Sequence, residues 1–157
     1  MKLGDFTGLA ENYTRYRQGY APGVLAALIG LLPSPPRAAA AVDVGAGTGI
    51  WTRMLASAGF AKVTAVEPNA DMRGQGAAHP ENGAIVWREG AGEATGLPDS
   101  GASLVTMASS FHWVDFDKGM DEFARLLVPG GRFCALWNPR LVEANPLTAE
   151  IEAELDK

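Results

Sequence analysis

Short apolar runs along the chain alternate with stretches in which apolar residues recur every three or four positions. The runs predict strands at 40–44, 62–66, 84–88, 103–108 and 131–137, and the periodic stretches predict helices at about 49–58, 70–78 and 117–127. Because strands and helices largely alternate, the pattern predicts a parallel sheet with helices on both faces, a doubly wound α/β fold.

Helix boundaries are marked by capping residues. Asn69 and Asn145 each stand where a helix is predicted to begin, and Asp115 or Asp117 is predicted to cap the helix at 117–127. This last helix is the best supported, because "VPGG" follows it and its apolar residues share one face: Phe116, Met120, Phe123, Ala124 and Leu127.

Composition narrows the class of protein. The chain has 157 residues, which suits one domain, and a net charge of -5, which disfavours binding to a nucleic-acid backbone. The longest apolar stretch, "APGVLAALIGLL", is too short to cross a bilayer, and "MKLGDFTGLAENY" contains no apolar signal core. The single cysteine, Cys134, lies in an apolar run and is interpreted as a buried residue rather than a nucleophile or a metal ligand. We therefore expect a cytoplasmic protein with no nucleic-acid, membrane or metal partner.

The glycine-rich stretch "AVDVGAGTGI" at 41–50 joins the first predicted strand of the sheet to a helix. In open α/β sheets this turn lies at the ligand-binding edge, and Gly45 and Gly47 allow the backbone to turn tightly and approach a ligand. A dinucleotide fingerprint requires a third glycine at 50, where this chain has Ile50. Glu67 lies twenty residues after Gly47, at the end of the second strand, where a carboxylate can accept hydrogen bonds from both ribose hydroxyls. The spacing thus favours a nucleoside without a 2′-phosphate.

Five segments in this order resemble class I S-adenosylmethionine-dependent methyltransferases of the small-molecule type, the methyltransferase type 11 or trans-aconitate methyltransferase-like family. They are "FTGLAENYTRYRQGY", "VDVGAGTGIWTRMLA", "VEPNADMR", "GEATGLPDSGASLVTMASSFHWVD" and "FARLLVPGGRF", and they cover nearly all of residues 6–138. The resemblance implies a Rossmann-like sheet with strand order 3-2-1-4-5, S-adenosyl-L-methionine as cofactor, and methyl transfer to a small-molecule acceptor.

The resemblance also implies roles for individual residues. Asp43 helps to hold the ammonium group of the methionine moiety, Glu67 binds the ribose, and Met72 packs on the adenine. The complete set of expected cofactor residues is Tyr13, Arg17, Asp43, Gly45, Ala46, Gly47, Glu67, Pro68, Met72, Ala91, Gly92, Glu93, Ser109 and Phe111, and the expected substrate residues are Tyr16 and Trp113.

His112 is the one histidine at the ligand edge of the predicted sheet, and we interpret it as a candidate catalytic base. Simpler structural alternatives stay open for several of these residues. Asp43 is alternatively a residue that caps the glycine turn, and Met72 is alternatively a core residue. His112 and Trp113 alternatively only cover the edge of the sheet.

The resemblance divides the single domain into an N-terminal lid segment and helix (1–38), a cofactor-binding core (39–138) and an acidic tail (139–157). It also implies further helices and a final antiparallel strand pair, which are not expected before Lys157. We therefore expect Phe133, Ala135 and Trp137 to lack cover, and a homodimer to form through this edge strand. The alternatives are a non-catalytic cofactor-binding or assembly module and, less favoured because of Ile50, an NAD-dependent oxidoreductase.

Overall fold

The computed structural model describes residues 7–139 and 145–155. The helices in this part of the chain are α1 (Ala10–Tyr16), α2 (Pro22–Gly30), α3 (Ile50–Ser57), α4 (Ala70–Ala78), α5 (Phe116–Leu126) and α6 (Pro146–Leu155). The strands are β1 (Ala40–Val44), β2 (Lys62–Val66), β3 (Ile85–Arg88), β4 (Ala102–Ala108) and β5 (Leu127–Leu136), and short 3-10 turns occupy Pro36–Ala38 and Phe111–Trp113.

The five strands form one parallel sheet in the order β3-β2-β1-β4-β5, which confirms the predicted fold and strand order. In the register of the sheet, Asp43 of β1 lies between Ala65 of β2 and Thr106 of β4. The strand order reverses between β1 and β4, and ligands of such sheets bind at the carboxyl ends of the strands at this switch point.

Successive strand residues face opposite sides of the sheet, and each side has its own core. On one side Trp51 and Leu55 of α3 pack against the sheet, and on the other Phe123 and Leu126 of α5 do so. All four side chains are at most 2% exposed, and burying each large apolar side chain contributes about 1.5–3 kcal/mol. The two cores fix the glycine turn between β1 and α3 relative to the sheet.

The predicted helix caps are confirmed. Asn69 Oδ1 accepts hydrogen bonds from the backbone N–H groups of Asp71 and Met72, both at 3.0 Å. Asp115 and Asn145 cap α5 and α6 in the same way. Within the described ranges no helix is both long and apolar enough to cross a membrane.

The strand predicted at 131–137 begins earlier in the structure. Leu127 already pairs with Ala102, and the register then shifts between Ala102 and Leu104, so that "VPGG" forms an irregular first part of β5. Gly130 accommodates the irregularity with φ +80. The "VPGG" segment therefore marks both the end of α5 and the irregular start of β5.

The expectation that Phe133 lacks cover is wrong. Its ring stacks on Phe123 of α5 with 4.7 Å between ring centroids and lies 5.4 Å from Phe111. Trp137 is 49% exposed, and β5 has no strand partner on its outer side among the described residues. Self-association through this edge stays a prediction, as does the division of the domain at residues 38 and 138.

Candidate functional site

A cleft of about 270 Å³ opens at the carboxyl ends of β1, β2 and β4, where the switch point of the sheet predicts a ligand site. Ten of the residues that line it belong to the set predicted as cofactor-binding: Tyr13, Gly45, Gly47, Glu67, Pro68, Met72, Ala91, Gly92, Glu93 and Ser109. The expected substrate residue Trp113 lines it as well. A smaller side cavity shares Tyr13, Gly45 and Gly47 with the cleft and adds Arg17 and Ala46.

The glycine turn is held in place by hydrogen bonds and by close packing. The N–H groups of Gly45 and Ala46 donate to the carbonyl of Val66 at 2.9 and 3.1 Å, which ties the turn to β2. Gly45 has φ +66, and a Cβ there would lie 2.7 Å from the Cβ of Ser110. Gly49 has φ +81, and a Cβ there would lie 2.9 Å from the Trp87 ring. Parts of the protein itself therefore require glycine at both positions.

Glu67 forms the acidic floor of the cleft and is only 7% exposed. Its Oε2 accepts a hydrogen bond from the Gly47 N–H at 2.7 Å, and its Oε1 accepts one from the Asn69 N–H at 2.9 Å. Burial raises the pKa of Glu67, although these two N–H donors oppose the shift. The Glu67 carboxylate therefore shapes the glycine turn in addition to lining the cleft.

Asp43 is placed differently from the role that the resemblance implies. It is fully buried behind the glycine turn and does not line the cleft. Its Oδ2 accepts a hydrogen bond from Thr52 Oγ1 at 2.6 Å and its Oδ1 one from Thr106 Oγ1 at 3.1 Å. Burial raises the pKa of Asp43 to about 7, against the opposing effect of these two hydroxyl groups. In this structure Asp43 joins β1, α3 and β4, and a role in ammonium binding stays a prediction.

The N-terminal segment contacts the cleft through Tyr13, Arg17 and Tyr20. Arg17 Nη2 donates to Ser109 Oγ at 3.1 Å, and Tyr20 Oη lies 2.8 Å from the same oxygen. Tyr13 lines the cleft itself, where burial raises the pKa of its phenol. Tyr16, expected to contact the substrate, is 70% exposed and lines neither cavity, because it points outward from α1 beside Arg15.

Two residues in the turn after β4 lie outside the cleft wall. Phe111, expected to bind the cofactor, packs in the core against Phe123 and Phe133, because its ring faces α5. His112 is exposed with its ring 4.6 Å from Trp113, and only Trp113 of this pair lines the cleft. The role of His112 as a base stays a prediction that this geometry does not support directly.

The far end of the cleft is formed by α4 and the loop after β3. Met72 is 3% exposed and lines the cleft, and its Cε lies 3.5 Å from where a Gly47 Cβ would stand. Gly92 packs so closely on Val114 that a Cβ would come within 2.4 Å of Val114 Cγ2. Glu93 Oε1 accepts a hydrogen bond from the Asp115 N–H at 2.8 Å, which fixes this loop to the start of α5.

The charges along the cleft are unevenly distributed. Glu67 and Glu93 are the ionisable acids among its lining residues, and Arg17 is the one basic residue among the described residues that line the cleft and its side cavity. Such an arrangement suits a ligand that carries positive charge along its length and a carboxylate at the end near Arg17. It does not suit a ligand with several phosphates.

Sequence reasoning missed several residues of this site. Tyr20, Ser110, Met107 and Val114 contact or line the cleft, and Arg73 Nη1 donates to the Glu67 carbonyl at 2.7 Å. All five stand inside quoted segments of the resemblance, which is the one local signal that could have found them.

The chain is similar in sequence and structure to several methyltransferases. A family model described as a methyltransferase domain matches residues 42–135. An uncharacterised methyltransferase of Mycobacterium tuberculosis is 36% identical over 137 residues, which are 87% of this chain and 53% of the relative. A methyltransferase-like protein of Schizosaccharomyces pombe is 30% identical over 99 residues, 63% of this chain and 38% of the relative. The chain thus spans about half the length of the mycobacterial relatives that it matches.

Solved structures agree with these relatives. A type II methyltransferase structure from Anaeromyxobacter dehalogenans is 28% identical with a TM-score of 0.69, and the match covers 82% of this chain and 54% of that one. Geranyl diphosphate C-methyltransferase of Streptomyces coelicolor, solved with Mg²⁺, geranyl diphosphate and S-adenosyl-L-homocysteine, has a TM-score of 0.62 at 20% identity, over 83% of this chain and 52% of that one. At 20% identity, the similarity to the Streptomyces coelicolor enzyme shows a shared fold.

Proposed function

Since the chain belongs to the methyltransferase domain family, we propose that it binds S-adenosyl-L-methionine in the cleft and transfers the methyl group to a small-molecule acceptor. The observation that carries the proposal is the distribution of charge, with the buried Glu67 carboxylate in the cleft and Arg17 in the adjoining side cavity. The cofactor has ribose hydroxyls that a carboxylate accepts, a sulfonium that favours acidic surroundings, and a carboxylate that an arginine binds.

In this proposal the adenosine half occupies the end formed by Glu67, Met72 and the loop 91–93, and the amino-acid half extends over the glycine turn towards Arg17. Met72 supplies an apolar surface for the adenine ring. The N–H of Gly47 is already bonded to Glu67, so the turn enters the complex with its shape fixed. Such preorganisation lowers the entropic cost of binding.

The cofactor, when bound, supplies a methyl group that its sulfonium has already activated. The protein's part is then to hold the acceptor in line with that group and to exclude water. Trp113 and Val114, which directly precede α5, line the cleft together with Tyr13 of α1. Proton removal by His112 requires an acceptor that extends past Trp113, because the imidazole lies outside the wall.

A small-molecule acceptor is supported by charge. The chain carries a net charge of -5, and the cleft lining includes two acids and no basic side chain among the described residues. A nucleic-acid acceptor requires basic groups along its phosphates.

The second candidate function is cofactor binding without catalysis, as an assembly module. It is favoured by the position of His112 outside the cleft wall. Calorimetric titration with S-adenosyl-L-homocysteine and with NAD tests the site first. We expect binding of S-adenosyl-L-homocysteine alone, and binding of NAD instead would contradict the proposal.

A methyl-release assay over a panel of small acceptors then separates the enzyme from the module. Turnover with any acceptor supports the enzyme, and cofactor binding without turnover over the panel favours the module. In the same assay, unchanged turnover of His112→Ala removes His112 from the reaction.

A further inference from the structure

Ser109 has a backbone conformation that serine rarely adopts. It follows β4 directly and has φ +57, a left-handed value that is unfavourable for a residue with a Cβ. Its N–H donates to the Leu136 carbonyl at 2.8 Å, which holds the residue against the end of β5. Strained residues of this kind persist where the surroundings fix them, and they concentrate at functional sites.

The conformation places the Ser109 hydroxyl where two residues of the N-terminal segment meet it. Arg17 Nη2 donates to Ser109 Oγ at 3.1 Å, and Tyr20 Oη lies 2.8 Å from that oxygen. These contacts join residues 92 and 89 positions apart in the chain. Ser109 also lines the cleft, so the junction forms part of the ligand site.

Tyr20 is anchored from the other side. Its half-buried ring packs edge-on against Trp51, with 5.3 Å between centroids and 73° between planes. The Trp51 indole N–H donates to Thr106 Oγ1 at 3.1 Å, and Thr106 in turn donates to Asp43. The hydroxyl of Tyr20 therefore has a position set by the core. Arg17, by contrast, is solvent-exposed, and an exposed arginine loses side-chain entropy when it is fixed.

We propose that Ser109, supported by Tyr20, is a positioning residue that holds the Arg17 guanidinium ready for the carboxylate at the amino-acid end of the cofactor. This inference rests on the proposed function, since it assigns the charged end of the same ligand. Ser109 acts through Arg17 and contributes affinity by fixing the arginine before the ligand arrives.

Two ligands separate this role from a general effect on the fold. S-Adenosyl-L-homocysteine has the amino-acid end, and 5′-deoxy-5′-methylthioadenosine has the same nucleoside without it. We expect Ser109→Ala to weaken the binding of S-adenosyl-L-homocysteine about five- to tenfold in calorimetry. We expect the affinity for methylthioadenosine to stay unchanged. Arg17→Gln should weaken the binding of S-adenosyl-L-homocysteine at least tenfold and leave the binding of methylthioadenosine unchanged.

A double-mutant cycle tests the route of the effect. If Ser109 acts through Arg17, Ser109→Ala in the Arg17→Gln background causes no further loss of S-adenosyl-L-homocysteine affinity. Ser109→Gly removes the hydroxyl but accepts φ +57 without strain, so it should lose affinity like Ser109→Ala while unfolding at a higher temperature than that variant. Ser100→Ala is the matched control, because Ser100 also has a positive φ, 50, but lies in a turn that does not line the cleft. The affinity of this variant for S-adenosyl-L-homocysteine should match that of the wild type.

Three results would overturn the positioning role: equal losses for both ligands, additive losses in the double variant, or wild-type affinity in Ser109→Gly. Failure of the proposed function looks different, because the wild-type protein would then bind neither ligand.

Discussion

At the scale of single residues, Glu67 combines two tasks that are usually considered separately. Its oxygens accept the Gly47 and Asn69 N–H groups at 2.7 and 2.9 Å, and the same carboxylate lines the cleft. A carboxylate oxygen has further lone pairs, so both tasks are compatible. Under the proposed function, removing the side chain therefore affects the shape of the turn and the binding of ribose together.

We expect Glu67→Ala to weaken S-adenosyl-L-homocysteine binding by about 1.5–3 kcal/mol for each charge-assisted hydrogen bond lost. It should also lower the free energy of unfolding by about 1–3 kcal/mol, because buried N–H groups lose their acceptor. Calorimetry and urea unfolding measure the two effects. Asp121→Ala is the control, since Asp121 is an exposed acid on α5 outside the cleft lining. Unchanged affinity in a folded Glu67→Ala protein would remove the ribose role.

Asp43 gives a prediction about pH. Burial raises its pKa from 3.8 to about 7 in the folded protein, so between these values the folded state binds the proton that the unfolded state has lost. The stability that this group contributes is thus complete below about pH 4 and is lost as pH rises towards 7, at about 1.4 kcal/mol per pKa unit.

Asp43→Asn cannot titrate, so its free energy of unfolding should rise relative to that of the wild type as pH increases from about 4.5 to 7, and then stay level. Urea unfolding at a series of pH values measures this difference. The other titrating groups contribute equally to the free energy of unfolding of both proteins, so their contributions cancel. Parallel stability curves for the two proteins would show that Asp43 keeps an ordinary pKa.

At the scale of elements, the sequence pattern predicted the helices and strands correctly where residues close in sequence determine the structure. The apolar runs of β1 and β2 and the cap at Asn69 lie as predicted, because strand burial and helix capping depend on residues close in sequence. The early start of β5 was missed because its pairing with Ala102 is a tertiary contact. The junction at Ser109 was missed for the same reason.

Helix α4 offers a comparison between two of its own glycines. A Cβ at Gly76 would come within 2.2 Å of the Trp87 ring, whereas a Cβ at Gly74 meets nothing within 4 Å. The Trp87 indole N–H donates to Asn82 Oδ1 at 2.6 Å, so the ring cannot move away freely. Trp87 also packs on Gly49, and through this contact it supports the start of α3.

We therefore expect Gly76→Ala to destabilise the protein by about 1–3 kcal/mol through overpacking. Gly74→Ala should stabilise it by about 0.5–1 kcal/mol, because alanine is the better helix former. Urea unfolding of both variants measures the difference. Equal effects at the two positions would mean that Trp87 does not fill the space beside Gly76.

At the scale of the whole molecule, the N-terminal segment joins loops that come from distant parts of the chain. The Gly8 N–H donates to Asp71 at the start of α4 at 3.0 Å, and Asn138 Nδ2 after β5 donates to the Gly19 carbonyl at 3.1 Å. With the bonds from Arg17 and Tyr20 to Ser109, this segment spans the cleft between α4 and the end of β5. A ligand in the cleft therefore contacts the segment and the sheet at once.

This bridging arrangement predicts that a bound ligand protects the segment from proteolysis. Arg15 and Arg17 are exposed at the end of the short helix α1, where local opening costs little free energy. Saturating S-adenosyl-L-homocysteine should slow tryptic cleavage after both residues, because a ligand held by Arg17 and the glycine turn must leave before the segment opens. Methylthioadenosine should protect less, since it lacks the carboxylate. Cleavage after Arg37, which is exposed and lines neither cavity, is the internal control, and equal slowing there would indicate global stabilisation instead of a local closure.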